Sequence, residues 1–273
     1  MKFENEKLFS IITVCYNAAL YLPKTMESVL VQSNPNYEYI IVDGGSKDST
    51  INVIQEFEHR FEGKMKWISE KDRGIYDAMN KAITLSEGTY LIFINANDEL
   101  DPNILNKVQM EIEKFDYLPD IIYGDALNSY DYNNQNVKKL KKAWNPITVR
   151  TLKKGMGVVH QSMFTKYSLF KEIGTFNIEY TIGADWDFLI RCVKGGKKLY
   201  YIPEVVSVFP TDGVSSGCHN KQRHLIRKNN NLYRCIDFNY ILDAMSISNF
   251  IKTVFGMDFY RKLRYLKNAN KEI

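Results

Sequence analysis

Tyr90-Leu91-Ile92-Phe93-Ile94-Asn95-Ala96-Asn97-Asp98 is an apolar run that stops abruptly in amides and ends on one carboxylate. A run apolar enough to be buried on both faces, carrying an acid at its carboxyl tip, is how an open α/β sheet presents a ligand site. The chain repeats the pattern at Tyr39-Ile40-Ile41-Val42-Asp43-Gly44-Gly45-Ser46. Two strand tips are therefore expected to converge on one polar ligand.

Around these two runs the periodicity alternates. Phe9 to Tyr16 reads as a strand, and Leu20 to Gln32 carries Leu22, Met26, Val29 and Leu30 at helical spacing. Tyr37 to Val42 is a second strand, and Asp48-Ser49-Thr50 supplies capping residues for a helix through Phe61. A strand over Lys64–Ser69, a helix over Ile75–Leu85 and the strand Tyr90–Ile94 complete a β-α-β-α-β-α-β series. That order predicts an α/β fold with a mostly parallel sheet flanked by helices. Beyond Asp98, Pro102 opens a helix through Phe115, and Asp120–Asp125 is a short strand. Residues 126–146 form a hairpin or loop excursion. Gln161–Thr165 is strand-like, Ser168–Ile173 and Ala184–Val193 are helical, and Lys198–Val208 is a long strand.

Composition narrows the class. The 273 residues are 45% hydrophobic and 25% charged, ordinary for a globular protein, and no apolar run reaches the roughly 18 to 20 residues of a membrane-spanning helix. Met1–Lys7 is charged without an apolar core, so a cytoplasmic location is expected. Cys15, Cys192, Cys218 and Cys235 show no Cys-x-x-Cys spacing and read as free thiols. From His219 to Ile273 there are 11 Lys/Arg against 4 Asp/Glu, net +7, while the remainder is net −3. Such asymmetry directs the tail toward an anionic surface. Ile251, Val254, Phe255, Phe259, Leu263 and Leu266 fall near one helical face among cations. That stripe fits a helix lying on a membrane or one packed on protein. No nucleic-acid motif accompanies it, and the glycine fingerprints of dinucleotide folds and P-loops are absent.

Taken in order, Tyr16-Asn17, Gln32, Ile41 to Thr50, Asp72-Arg73-Gly74-Ile75-Tyr76-Asp77-Ala78-Met79-Asn80 and Asn95 to Asp98 resemble the family 2 glycosyltransferases of the GT-A fold. The likeness covers roughly residues 8–216, and Ser69 to Asn80 is similar to bacterial members that build surface polysaccharides. It implies a GT-A domain over 1–216, with nucleotide-sugar binding in about 8–100 and the acceptor side in about 120–216, followed by a basic helical extension over 217–273.

The resemblance implies a transfer from a nucleotide-diphosphate sugar, UDP-linked by preference, to a glycan or lipid-linked glycan, with inversion and a divalent cation, Mn²⁺ or Mg²⁺. Tyr16 would sit beside the base, with Asn17 and Gly44 in the same donor loops. Asp43 would bond the base or ribose or, alternatively, cap its own turn. Asp72 and Gly74 match a pocket-lining position or a helix cap. Met79 stands where relatives carry Arg, leaving Arg73 or a lysine for the diphosphate.

The acidic motif departs from the family pattern. Asn95 and Asn97 replace acids, so Asp98 is the remaining metal carboxylate, unless Asp98-Glu99 is only a solvated turn. Asn97 can still meet a ribose hydroxyl, and His219 is a candidate further metal ligand. Asp185, at the start of a helix whose dipole favours an anion, is the candidate base, or else a cap. Asp187 would pair with Arg191, Trp186 could pack on a sugar, and His160 falls near the acceptor side. The two amide replacements also leave open a non-catalytic subunit that only binds nucleotide-sugar.

Overall fold

The structure, a computed structural model, describes residues 7–132, 135–210 and 220–232. The chain divides into two compact units, Met1–Gly217 and Cys218–Ile273. Within the first, four strands set the frame: β1 (Phe9–Cys15), β2 (Tyr37–Asp43), β3 (Met65–Ser69) and β4 (Tyr90–Phe93). They are ordered β3-β2-β1-β4 and all parallel. Every residue of β1, β2 and β4 is buried, which is why these strands read as continuous apolar runs instead of alternating ones.

The helices between them are α1 (Leu22–Leu30), α2 (Thr50–Glu58) and α3 (Ile75–Leu85). Pro23 stands in the first turn of α1, where its missing N–H costs no hydrogen bond. Leu22, Met26 and Val29 are fully buried and join Ile11, Tyr39, Ile41 and Ile92 in one core cluster. The strands must approach closely at the end remote from the site. A Cβ on Gly88 would lie 2.6 Å from the Ser10 backbone nitrogen, so only glycine fits there.

Beyond β4 the sheet becomes mixed. β5 (Glu99–Leu100), β6 (Ile121–Tyr132), β7 (Gln135–Lys141), β8 (Met163–Lys166) and β9 (Leu199–Pro210) continue it. β8 runs antiparallel to both β4 and β6, β9 runs parallel to β6, and β7 forms a hairpin on β6. The all-parallel pairing of the first half thus gives way to a mixed one, in which β6 and β7 are joined directly as a hairpin. Helices α4 (Ile104–Glu113), α5 (Val149–Leu152), α6 (Tyr167–Glu172) and α7 (Ala184–Lys194) complete the unit.

Three expectations are refined in detail. The helix after Pro102 begins only at Ile104, because Asn103 takes a left-handed conformation (φ +66°). Asp98-Glu99 is no solvated turn: Asp98 is 4% exposed, and Glu99 pairs with Val208 of β9. Of the two forms expected over 126–146 the hairpin is the one present, since β6 continues to Tyr132 before the chain returns as β7.

In the second unit the described helix is α8 (Asn220–Asn229). The amphipathic stripe from Ile251 to Leu266, His219, Cys218 and Cys235 lie outside the described residues. Cys15 and Cys192 are buried free thiols, as their spacing predicts. No described helix is long and apolar enough to cross a membrane.

Candidate functional site

Parallel pairing brings the carboxyl ends of β1, β2 and β4 to one edge, so the loops after Cys15, Asp43 and Phe93 share one region. Hydrogen bonds stitch the first two loops together. The Asn17 N–H donates to Ser46 Oγ (2.7 Å), and the Lys47 N–H donates to Asn17 Oδ1 (2.8 Å). Asn17 holds φ +49°, a conformation asparagine tolerates better than most residues. Its side-chain oxygen is therefore spent on loop geometry, while neighbouring Tyr16 stands 60% exposed above it.

Asp43 is fully buried. Its carboxylate accepts from the N–H groups of Gly45 (3.0 Å) and Ser46 (2.9 Å), from Ser69 Oγ (2.7 Å), and closely from Ser46 Oγ. With a weak fifth bond from Cys15 Sγ (3.8 Å), these donors fill the four or so lone-pair sites of a carboxylate. The capping role is realised, and a base or ribose could reach Asp43 only if a serine hydroxyl gave way.

The carboxylate open to this cleft is Asp72. A Cβ on Gly44 would collide with Asp72 Oδ2 and lie 3.5 Å from the Tyr16 ring, which brings Tyr16, Gly44 and Asp72 together. Asp72 Oδ1 accepts from the Gly74 N–H (2.8 Å), and Gly74, at φ +125°, opens α3. Asp72 thus braces the turn before α3 without capping the helix itself, since Gly74 is the N-cap and receives no side-chain bond to its first turn, and Oδ2 lies toward Gly44. The Arg73 guanidinium is held by Asp77 one helical turn on, at 2.7 Å.

At the tip of β4, Asn97 adopts φ +80° and donates its N–H to Thr25 Oγ1 (3.0 Å), leaving its side-chain amide without a hydrogen bond among the described residues. Asp98 Oδ2 accepts from Gln161 Nε2 (2.8 Å) and the Asn95 N–H (3.2 Å). Burial pushes this carboxyl up to about 7, with the Gln161 bond opposing the rise. Asn95 Oδ1 is buried without a hydrogen-bond partner among the described residues. A desolvated carboxylate beside an unpaired amide oxygen suits a hard cation, which takes one or two carboxylates and completes its shell with phosphate and water. No group of three or more His, Cys, Asp or Glu side chains among the described residues could hold a metal by itself. The residues present therefore fit a cation shared with a diphosphate, not a closed protein site.

Gln161 and His160 lie on one 3-10 turn, His160–Ser162. His160 Nδ1 is 3.8 Å from Asp185 Oδ2, so adjacent residues of a single turn face Asp98 and Asp185. His160 packs against Phe93 and Phe176 with ring centroids 5.1 and 5.7 Å away. Burial lowers its pKa and Asp185 opposes the shift, the net being a neutral imidazole at pH 7. Asp185 stands in the first turn of α7 behind Gly183, whose φ is +88°. The Tyr76 hydroxyl donates to Asp185 Oδ1 (3.1 Å) and accepts from the Gly183 N–H (2.8 Å).

Trp186 requires a correction. It is only 5% exposed, because successive helical residues point about 100° apart and Asp185 takes the open side. It cannot offer a face to a sugar. Asp187 pairs with Arg191 at 2.9 Å, as its spacing predicts. Sequence reading missed Tyr76 and the Gln161–Asp98 bond; these link residues 109 and 63 positions apart, a separation no local pattern encodes.

Solved structures share this architecture. S. aureus TarS 1-349 in complex with UDP-GlcNAc aligns with TM-score 0.67 at 16% identity, over 90% of this chain and 75% of that one; of a longer TarS chain this protein spans 45%. The mannosyltransferase PcManGT from Pyrobaculum calidifontis, in complex with GDP-Man and Mn²⁺, aligns with TM-score 0.59 at 16% identity, over 87% and 68% of the two chains. The fold is that of the GT-A glycosyltransferases. Residues 10–174 match glycosyl transferase family 2, and the chain belongs to that family. It is 32% identical over 187 residues to a PGL/p-HBAD biosynthesis glycosyltransferase of Mycobacterium bovis BCG, covering 68% of this chain and 69% of the relative. Over 100 residues it is 38% identical to the putative teichuronic acid biosynthesis glycosyltransferase TuaG of Bacillus subtilis, covering 37% and 40%. The protein is a glycosyltransferase with relatives in polysaccharide biosynthesis.

Proposed function

We propose that this enzyme moves a sugar from a UDP-sugar to a glycan or lipid-linked glycan acceptor, inverting the anomeric configuration, with Asp185 as the base. The observation that carries the reading is the placement of Asp185. It is oriented by Tyr76 at a helix start, where the dipole favours an anion, and it shares the His160–Gln161 turn with Asp98. As the acceptor oxygen bonds to the anomeric carbon, its proton passes to Asp185, and the bond from that carbon to the nucleotide diphosphate breaks. His160, packed between Phe93 and Phe176, lies against one side of this carboxylate.

Tyr16, Gly44 and Asp72 would receive the nucleotide, and Asn97 a ribose hydroxyl. Asp98 and Asn95 would hold a divalent cation, with His219 as a candidate further ligand. When bound, such a cation supplies charge neutralisation for the departing diphosphate. Relatives named for polysaccharide biosynthesis support the acceptor class. The net +7 of residues 219–273 supports the extension as a contact to the cytoplasmic membrane face.

Asp185→Asn should lower turnover by about 10²–10⁴, the usual worth of a positioned base, while UDP-sugar affinity stays within about twofold. Single-turnover assays and donor titration measure both. Near-normal turnover in the variant would remove Asp185 from the role.

A further inference from the structure

Between Asp131 and Glu172 the chain carries no acidic residue, and from Lys138 to Lys154 it carries six lysines and one arginine. The block lies on β7, on the segment after it, and on α5 with the turn that follows. Lys138, Lys139, Lys142, Arg150 and Lys154 are exposed and form no ion pair among the described residues. Lysines on an edge strand discourage pairing with another chain. That role stops with the strand, however, whereas the cations continue through Arg150 and Lys154.

Trp144 stands in the middle of this block. Its backbone N–H donates to the Gly157 carbonyl (2.7 Å), and the Tyr123 hydroxyl donates to the Trp144 carbonyl (3.2 Å). A Cβ on Gly157 would press against indole carbon Cδ2 at 2.7 Å, so the glycine there makes room for the ring, while Gly155 lies in ordinary contact with its far edge. The indole is thus held from behind yet remains 38% exposed. Three residues after Gly157 comes His160, which faces Asp185. An anchored aromatic beside a run of exposed cations, of which Lys138 also feels the Asp101 carboxylate, contiguous in sequence with the turn at the candidate base, matches a sugar chain that carries negative groups.

We infer that the Lys138–Lys154 surface binds an anionic acceptor glycan, its cations meeting phosphate or carboxylate groups and Trp144 stacking on a sugar ring. This rests on the reading of residues 120–216 as the acceptor side. The test is equilibrium binding of the full chain to polygalacturonate, polyphosphate, dextran, and vesicles of phosphatidylglycerol and phosphatidylcholine in equal parts. Wild type, the Lys138→Glu/Lys139→Glu/Lys142→Glu variant and Trp144→Ala are compared; the basic tail is the same in all three.

Polygalacturonate should bind in a salt-sensitive manner, and the triple reversal should weaken it by roughly 30-fold at low salt. Trp144→Ala should weaken polygalacturonate by about tenfold and leave polyphosphate unchanged. UDP-induced thermal stabilisation should persist in every variant, showing that the fold and donor cleft are intact. Unchanged polygalacturonate affinity in the triple variant, or equal binding of dextran, would overturn the inference. Binding of vesicles without binding of polygalacturonate would overturn it too and assign the surface to a membrane. Because the readout is binding, failure of Asp185 as the base would leave this result untouched.

Discussion

At the scale of single residues, the site is governed by which carboxylates are already spoken for. Asp43 is saturated by backbone and serine donors, Asp72 spends one oxygen on the Gly74 N–H and turns the other toward Gly44, and Asp185 receives one hydroxyl. A hydrogen bond to a charged group contributes about 1.5–3 kcal/mol. Tyr76→Phe should therefore reduce kcat by roughly 10- to 100-fold with the donor KM unchanged, a split that steady-state kinetics resolves. A parallel loss of UDP binding would instead mean that Tyr76 supports the whole cleft. The types of these residues were legible in the sequence, but their availability was not. Asp185 and Trp186 are neighbours in the chain, yet one is reachable and the other is sealed in the core.

At the scale of elements, the proposed donor cleft forms where the β2–α2 turn meets the loop entering α3. Gly44 makes that meeting possible, since any side chain there runs into the Asp72 carboxylate. Gly44→Ala should raise the donor KM by about tenfold and remove most of the UDP-induced shift in Tm, while the unliganded Tm falls little because Asp72 can rotate toward solvent. Differential scanning fluorimetry with and without UDP decides it, and a full ligand shift would contradict the role. Strands β1 to β4 were legible because burial on both faces leaves an uninterrupted apolar run. Two-residue β5 was not, since its strand character comes from Val208 and Ser207 across the sheet.

At the scale of the whole molecule, the sheet carries a polar site at one edge and a buried charge cluster near the other. Glu38 on β2 is almost wholly buried and accepts from Ser10 Oγ (2.7 Å) and the Glu87 N–H (2.6 Å), with Lys66 at 3.0 Å. Burial alone would raise its pKa, but the bonds from Ser10 and Glu87 and the Lys66 charge carry it below the ordinary value. A carboxyl depressed in the folded state adds stability above its unfolded pKa, near 4.5, and that stability is lost as pH falls through the folded value. Glu38→Gln should therefore cost roughly 1–3 kcal/mol at pH 7 and progressively less toward pH 3. Urea midpoints across that range would show it, and a pH-independent cost would exclude the charge as the cause.

The sequence by itself determined the α/β alternation, the ordered motifs of the family, and the replacement of two acids by Asn95 and Asn97 in the β4 tip. These are local quantities, set by side-chain type and spacing. Only the tertiary structure decided that Gln161 grips Asp98, that Tyr76 orients Asp185, that Arg73 pairs with Asp77, and that Trp144 lies over Gly157. Burial and long-range hydrogen bonds arise from segments far apart in the chain, and a lone pair is free or taken only once those segments have met.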